Sequence, residues 1–302
     1  MANQIIDDIK LKLKSGNVIT RLIVINVVVF VIISLLRILL FLIGGVGSFS
    51  FFVKFFITTI SLPLNFSEFI YQPWTLFTYM FVHIDIMHIF WNMVLLFWFG
   101  QILSGFTDSK KIIPLYLLGG IAGGLVALLL VNLLPPFSVY IGMPMVGASA
   151  GVTAIIIAAA TLVPNYRMNL MFIGEVKLIY VAIFVLFLDV LSLASYNNVG
   201  GNLAHLGGAL MGFIFIQQYK KGRDLSKPIN KILNGFRNLF SSAPKSKMKV
   251  AYKRAPSDED YNYQKTLTQQ QIDAILDKIS KSGYESLSKA EKEILFSASN
   301  KK

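Results

Sequence analysis

Long apolar runs dominate the pattern of hydrophobic and polar positions along this chain. Six of them are candidate membrane-spanning helices, at about 20–43, 85–104, 111–134, 147–163, 177–194 and 202–219. Because ~20 apolar residues are needed to cross a ~30 Å hydrocarbon core, several of these runs are slightly short. Gly44-Gly45 and Pro135-Pro136 break the chain where the first and third helices should end. The pattern predicts an all-α fold, a polytopic membrane bundle of six helices.

The same pattern divides the chain into four parts. We expect a cytoplasmic N-terminal segment, a membrane domain, a basic cytoplasmic linker and a small helical pair, at residues 1–19, 20–219, 220–267 and 268–302. The linker is rich in Lys and Arg, so electrostatic attachment to anionic lipid is the alternative to a merely flexible role. In the last part, apolar residues recur at helical spacing, and Ser288 with Glu291 forms a capping-box pattern.

Charge adds an orientation to this picture. The net charge is +12 at pH 7, but the basic residues lie at the chain ends and in alternate connections between apolar runs. Membrane proteins carry positive charge in this way, so no nucleic-acid partner is expected. The positive-inside rule places both termini in the cytoplasm. The first apolar run is too long for a cleavable signal peptide and is expected to be retained as a span.

Two further features narrow the picture. The chain has no cysteine, which excludes disulfides, thiolate metal sites and a cysteine nucleophile. The first connection, about 44–84, is long, apolar and aromatic. Connections of that length are usually functional or disordered, and this composition predicts an element lying in the outer membrane interface.

Polar residues inside the apolar runs are the candidates for chemistry, because ionisable groups at membrane depth are costly and usually functional. In the predicted topology the second, fourth and sixth helices all enter from the outer side. His88 and Asn92, Ser149, and His205 then fall at similar depth near the outer leaflet. The alternatives are chance co-location and structural histidines bonded to neighbouring helices.

The residue types suit peptide hydrolysis. Ser149 lies between small residues that leave room for a substrate backbone, and histidine is the usual base for a serine nucleophile. Gly208 and Gly212 form a small-xxx-small pattern after His205, which permits close helix approach in lipid. His88 and Asn92, at i and i+4, could both donate to an oxyanion. A helix N-cap is the alternative role for the serine.

Other assignments of the polar groups are weaker. A zinc site built from His83, His88 and His205 is a rival, but His83 and His88 are five apart rather than i,i+4, and no carboxylate or fourth ligand is evident except Asp85. Neither a metal nor another cofactor is expected. Asp189 could orient His205 as the third member of a triad. A polar residue near the membrane interface is the favoured reading of Asp189, and the expected catalytic unit is a Ser149–His205 dyad.

These residues resemble the motifs of the rhomboid family of intramembrane serine proteases. The chain contains His83-x4-His88-x3-Asn92, then Gly147-Ala148-Ser149, and finally Ala204-His205-Leu206-Gly207-Gly208, in the family's order and on the corresponding helices. The resemblance covers about residues 20–219. It departs at Thr75, where the family often has an Arg after Trp, and at Thr153, where it often has an aromatic residue that stacks on the histidine.

The resemblance implies a six-helix rhomboid-like bundle with a bacterial type of cytoplasmic helical appendage. It also implies a location in a bacterial inner membrane. Ser149 and His205 would be catalytic, and His88, Asn92 and the Ser149 N–H would bind the oxyanion. Single-span membrane proteins would be the substrates. A catalytically inactive rhomboid-like protein that binds membrane helices is the first alternative. A small transporter with a histidine relay is the second, although its polar groups should be spread across the membrane rather than clustered near one face.

Overall fold

A computed structural model describes residues 17–52, 55, 57–170, 173–194, 196, 198–240 and 258–299 of the chain. The chain divides into two compact units, Met1–Ser242 and Ala243–Lys302. Most of the described residues are helical, so the predicted all-α fold is confirmed. Most of the predicted N-terminal segment, 1–19, lies outside the described residues.

The helices of the first unit are α1 (Val18–Phe52), α2 (Thr58–Ile60), α3 (Phe66–Tyr71), α4 (Thr75–Thr78), α5 (Ile86–Phe106), α6 (Ile112–Leu133), α7 (Ser149–Leu162), α8 (Leu178–Ala194), α9 (Val199–Lys220) and α10 (Ser226–Phe240). Its strands form two antiparallel pairs, β1 (Leu62–Pro63) with β2 (Pro144–Met145), and β3 (Arg167–Leu170) with β4 (Gly174–Lys177). The second unit contains α11 (Asp258–Ser282) and α12 (Lys289–Ser299).

A helix occupies each of the six apolar runs. The predicted break at Gly44-Gly45 is present as a non-helical residue within α1, Gly45, at φ 63° and ψ −153°. Among the described residues, four helices are long and apolar enough to cross a membrane, namely the first part of α1, then α5, α6 with the turn before it, and α9. The other two, α7 and α8, are shorter, so the count of six spans stays a prediction.

The core of the first unit is built around α7, which is buried from Ala150 to Ala160. Glycines on its neighbours α6 and α9 let the backbones touch. A methyl group on Gly208 or Gly212 would clash with the carbonyl oxygen of Ala150 or Ala154, one turn apart on α7. The close approach predicted from the small-xxx-small pattern is therefore confirmed. Helix α7 is surrounded by other parts of the protein over most of its length.

The long connection between α1 and α5 contributes to this core. Its residues Leu62 and Tyr79 are almost fully buried, and β1 pairs with β2 just before α7. Trp74 Nε1 donates to the Thr59 carbonyl at 3.0 Å, and Thr78 Oγ1 donates to the Ile60 carbonyl at 2.7 Å. These bonds anchor the connection without an Arg after the tryptophan. Its place in the outer membrane interface stays a prediction.

A helix, α10, lies within the predicted basic linker, 220–267. Leu225, Ile229 and Leu233 recur at helical spacing and pack against the core of the first unit. Helix α11 also begins ten residues before the predicted start at 268. In the second unit the capping box is confirmed: the Ser288 N–H donates to Glu291 Oε2 at 2.7 Å.

Candidate active site

The turn before α7 is fixed by the segment that precedes α5. The Gly147 N–H donates to the Tyr79 carbonyl at 2.9 Å, and the Ala148 N–H donates to His83 Nε2 at 3.3 Å. Gly147 has φ +125°, in the region that favours glycine. Ser149 follows as the first residue of α7, so its N–H has no acceptor within the helix and lies at the positive end of the helix dipole.

Helix α5 supplies the next side chains. Asp85 caps it, with Oδ1 accepting from the backbone N–H of Met87 at 2.8 Å and of His88 at 3.0 Å. A methyl group on Gly147 would lie 2.7 Å from His88 Nε2 and 3.8 Å from Ser149 Oγ. The absence of that methyl group therefore lets the His88 imidazole and the serine hydroxyl lie on either side of the same small space.

Asn92 lies one turn after His88 and is buried. Its Nδ2 donates to the His88 carbonyl at 2.8 Å. This bond uses one of the two amide hydrogens and fixes the side chain on its own helix. The second hydrogen remains for another acceptor, so both predicted oxyanion donors occupy one face of α5.

His83 has a role that the sequence did not reveal. It is fully buried, accepts the Ala148 N–H and packs edge-on against His88 at 5.1 Å between ring centroids. Burial, with a smaller contribution from His88, lowers the pKa of His83 to about 4, so the ring is neutral at pH 7 and can accept. In the described part of the chain, no three metal-ligating side chains of the His, Cys, Asp or Glu type come together.

His205 lies on the second turn of α9 and is held from α8. Its Nδ1 is 2.7 Å from Asp189 Oδ1. Sequence reasoning favoured a membrane-interface role for Asp189, whereas the structure places its carboxylate on the predicted base. The available sequence signal was that Asp189 is the sole charged residue of α8. His205 Nε2 is buried and has no hydrogen-bond partner within the described residues.

The packing of α7 and α9 against the same glycine of α6 places Ser149 and His205 at a similar height along the helix bundle. A methyl group on Gly123 of α6 would lie 2.5 Å from Ala150 Cβ and 2.5 Å from the Ala204 carbonyl oxygen. These alanines are the neighbours of the two predicted catalytic residues. The serine hydroxyl does not bond to His205 Nε2 in this structure, and such bonds are often long before substrate binds.

Fold and site together define a helical membrane protein with a serine, two histidines and an amide clustered where several helices meet. The model of the Rhomboid domain matches residues 71–220, and the chain belongs to the rhomboid family. It is thus an integral membrane protein. Residues 257–301 match a family of unknown function, DUF6576.

One curated relative is "RHOMBOID-like protein 12, mitochondrial" from Arabidopsis thaliana. It is 32% identical over 159 residues, which are 49% of this chain and 47% of the relative. The chain therefore spans about half the length of this relative.

Proposed function

We propose that this protein is an intramembrane serine endopeptidase that cleaves single-span membrane proteins. The observation that carries the proposal is the backbone contact of α7 with α9 beside Ser149 and His205. His205 Nε2 is buried and unpartnered among the described residues, and Ser149 is the first residue of α7, one of the two helices in contact. Membership of the rhomboid family supports the same chemistry.

In the proposed reaction, His205 Nε2 takes the Ser149 hydroxyl proton as Ser149 Oγ attacks the scissile carbonyl. The proton then passes to the leaving amine as the C–N bond breaks. Water hydrolyses the resulting acyl-enzyme, with His205 again acting as the base. Ser149 and His205 are both half-buried, so neither is sealed away from substrate. The reaction requires no cofactor.

The oxyanion would be stabilised by the Ser149 N–H, His88 and Asn92. The first points from a helix N-terminus, His88 lies across Gly147 from the serine, and Asn92 follows His88 by one turn on α5. Loss of one such donor typically lowers kcat by about 10²–10³. His88→Ala and Asn92→Ala should each lower kcat on that order, with the effect on KM small.

The test uses purified full-length protein in liposomes with a fluorophosphonate probe and a model single-span substrate. The wild-type protein should be labelled by the probe and should cleave the substrate. Ser149→Ala should show neither labelling nor cleavage, and His205→Ala should lose nearly all of both. Ser104→Ala, at the other end of α5, is the matched serine control and should behave as wild type. Labelling or cleavage that survives Ser149→Ala would sink the mechanism.

The competing function is that of an inactive rhomboid-like protein that binds membrane helices. It is favoured if folded wild type neither labels nor cleaves any of several single-span substrates but still retains them in detergent. A transporter is disfavoured by the site itself, since His88, Ser149 and His205 gather at one end of their helices rather than along the membrane depth.

We propose anionic lipid as a second partner, contacted by α10. Its residues Ile229 and Leu233 pack against the core, while Lys227 and Lys231 are exposed. Each such lysine near an anionic surface contributes about 1 kcal/mol. Lys227→Gln with Lys231→Gln should therefore weaken phosphatidylglycerol binding, measured by native mass spectrometry, more than Lys281→Gln with Lys289→Gln in the second unit. Equal losses in the two pairs would contradict contact through α10.

A further inference from the structure

Asp189 is out of place for an apolar helix. It is the sole charged residue of α8, its side chain is 10% exposed, and its Oδ1 lies 2.7 Å from His205 Nδ1. Its other oxygen, Oδ2, is buried without a hydrogen-bond partner in the described chain. A carboxylate at this depth is costly, and its single observed partner is the proposed catalytic base.

The contact determines which nitrogen of His205 can act as a base. An ionised carboxylate only accepts hydrogen bonds, so Nδ1 must carry the proton that is shared with Asp189. The lone pair then lies on Nε2, the nitrogen that is buried and unpartnered among the described residues. The contact also restricts rotation of the ring, because Nδ1 on α9 is held by a short hydrogen bond to a carboxylate on α8.

Among the described residues, the contact with Asp189 is the hydrogen bond recorded for the His205 ring. Position 153, four residues after Ser149, holds a threonine that is buried on α7. A threonine has no ring to stack on an imidazole. The orientation of His205 therefore depends on the hydrogen bond from its other side.

We infer that Asp189 is a positioning residue that converts the Ser149–His205 pair into a triad, an inference that rests on the proposed protease function. When Ser149 Oγ bonds to the substrate carbon, its proton moves to His205 Nε2 and the carbonyl electron pair moves to the oxygen. His205 is then an imidazolium, and the Asp189 carboxylate stabilises it without taking its proton. The proton leaves with the amine as the C–N bond breaks.

The kinetic test compares Asp189→Asn, Asp189→Glu and Ser192→Ala in the full chain in liposomes. Asp189→Asn keeps the shape but not the charge, and kcat should fall about 100-fold or more while KM stays within about twofold. Asp189→Glu keeps the carboxylate and should recover at least about tenfold of that loss. Ser192→Ala removes a polar group one turn away on α8 and should match wild type. A kcat of Asp189→Asn within about twofold of wild type overturns the inference.

A second measurement does not depend on activity. A proton held between Nδ1 and a carboxylate resonates far downfield in the ¹H NMR spectrum. The signal should be present in wild type and in Ser149→Ala, and absent in Asp189→Asn; its absence from Ser149→Ala overturns the inference even if Asp189→Asn does not fold. The two proposals fail differently: wild type without labelling or cleavage refutes the protease, whereas an active Asp189→Asn refutes only the triad.

Discussion

At the scale of single residues, Gly147 controls the space between His88 and Ser149. Its φ of +125° is one that other residues adopt only with strain, and a methyl group there would lie 2.7 Å from the His88 ring. Gly147→Ala should therefore displace His88 or the turn before Ser149. We expect kcat and the rate of fluorophosphonate labelling to fall by at least about tenfold, since misplacing a catalytic group by ~1 Å can cost about 10².

The control for this prediction is Gly105→Ala on α5. A methyl group at Gly105 meets nothing within 4 Å, and φ there is not positive, so activity should be unchanged. Wild-type labelling by Gly147→Ala would show that the site tolerates a side chain at this position. It would also show that labelling does not require His88 to keep its position beside Gly147.

The polar side chains of the candidate site could be selected from the sequence, but the contacts that hold them in place could not. Ser149, His205, His88 and Asn92 stand out because polar groups are rare in apolar runs. Asp189 stands out equally, yet its partner depends on the rotation of α8 about its axis, which a short apolar helix does not encode. The role of His83 depends on a loop folding back onto the turn before α7, a contact between residues 65 positions apart in sequence.

At the scale of elements, apolar runs predicted the membrane helices within a few residues, apart from the extension of α1, because length and hydropathy set their ends. Helix α10 escaped detection because the apolar residues described as packing on the core, Leu225 just before it and Ile229 and Leu233 within it, are spaced through a polar, basic sequence. The strand pairs are too short to produce an alternating pattern. Such elements are stabilised by tertiary contacts that the local sequence does not contain.

The second unit allows a prediction on pH. Hydrogen bonds from Lys278 and then from Ser288 lower the pKa of Glu291 from 4.5 to about 2. A lowered pKa in the folded state adds stability above about pH 4.5, and that stability is lost as the pH falls through about 2. Amide exchange of α12 in wild type should be slower than in Glu291→Gln at pH 7, and the two should converge near pH 2.

The chemical rate of amide exchange itself changes with pH, so wild type and variant are compared with each other at each pH. Glu293→Gln is the matched control, because Glu293 is exposed on the same helix. It should exchange like wild type throughout. If Glu291→Gln and Glu293→Gln behave alike at pH 7, the Lys278–Glu291 pair contributes nothing to the unit.

At the scale of the whole membrane unit, Lys220 and Lys111 lie at the end opposite the candidate site. Lys220 Nζ donates to the Thr161 carbonyl at 2.7 Å, so α7 and α9 end together. Lys111 is 3.3 Å from Asp224, which brings the start of α6 to the same end. Ser149 and His205 lie near the starts of α7 and α9. His205 is about 22 Å along α9 from Lys220, at 1.5 Å per residue, most of the way across a ~30 Å hydrocarbon core.

This polarity predicts the orientation of the chain, because basic ends face the cytoplasm. The absence of cysteine permits clean labelling of single introduced thiols. In intact cells, Ser138→Cys, in the exposed turn between α6 and α7, should react with an impermeant maleimide, and Asn238→Cys on α10 only after permeabilisation. The reverse result would place the basic end outside. Water would then reach Ser149 from the cytoplasmic side, and any substrate would be cut within the inner leaflet rather than the outer.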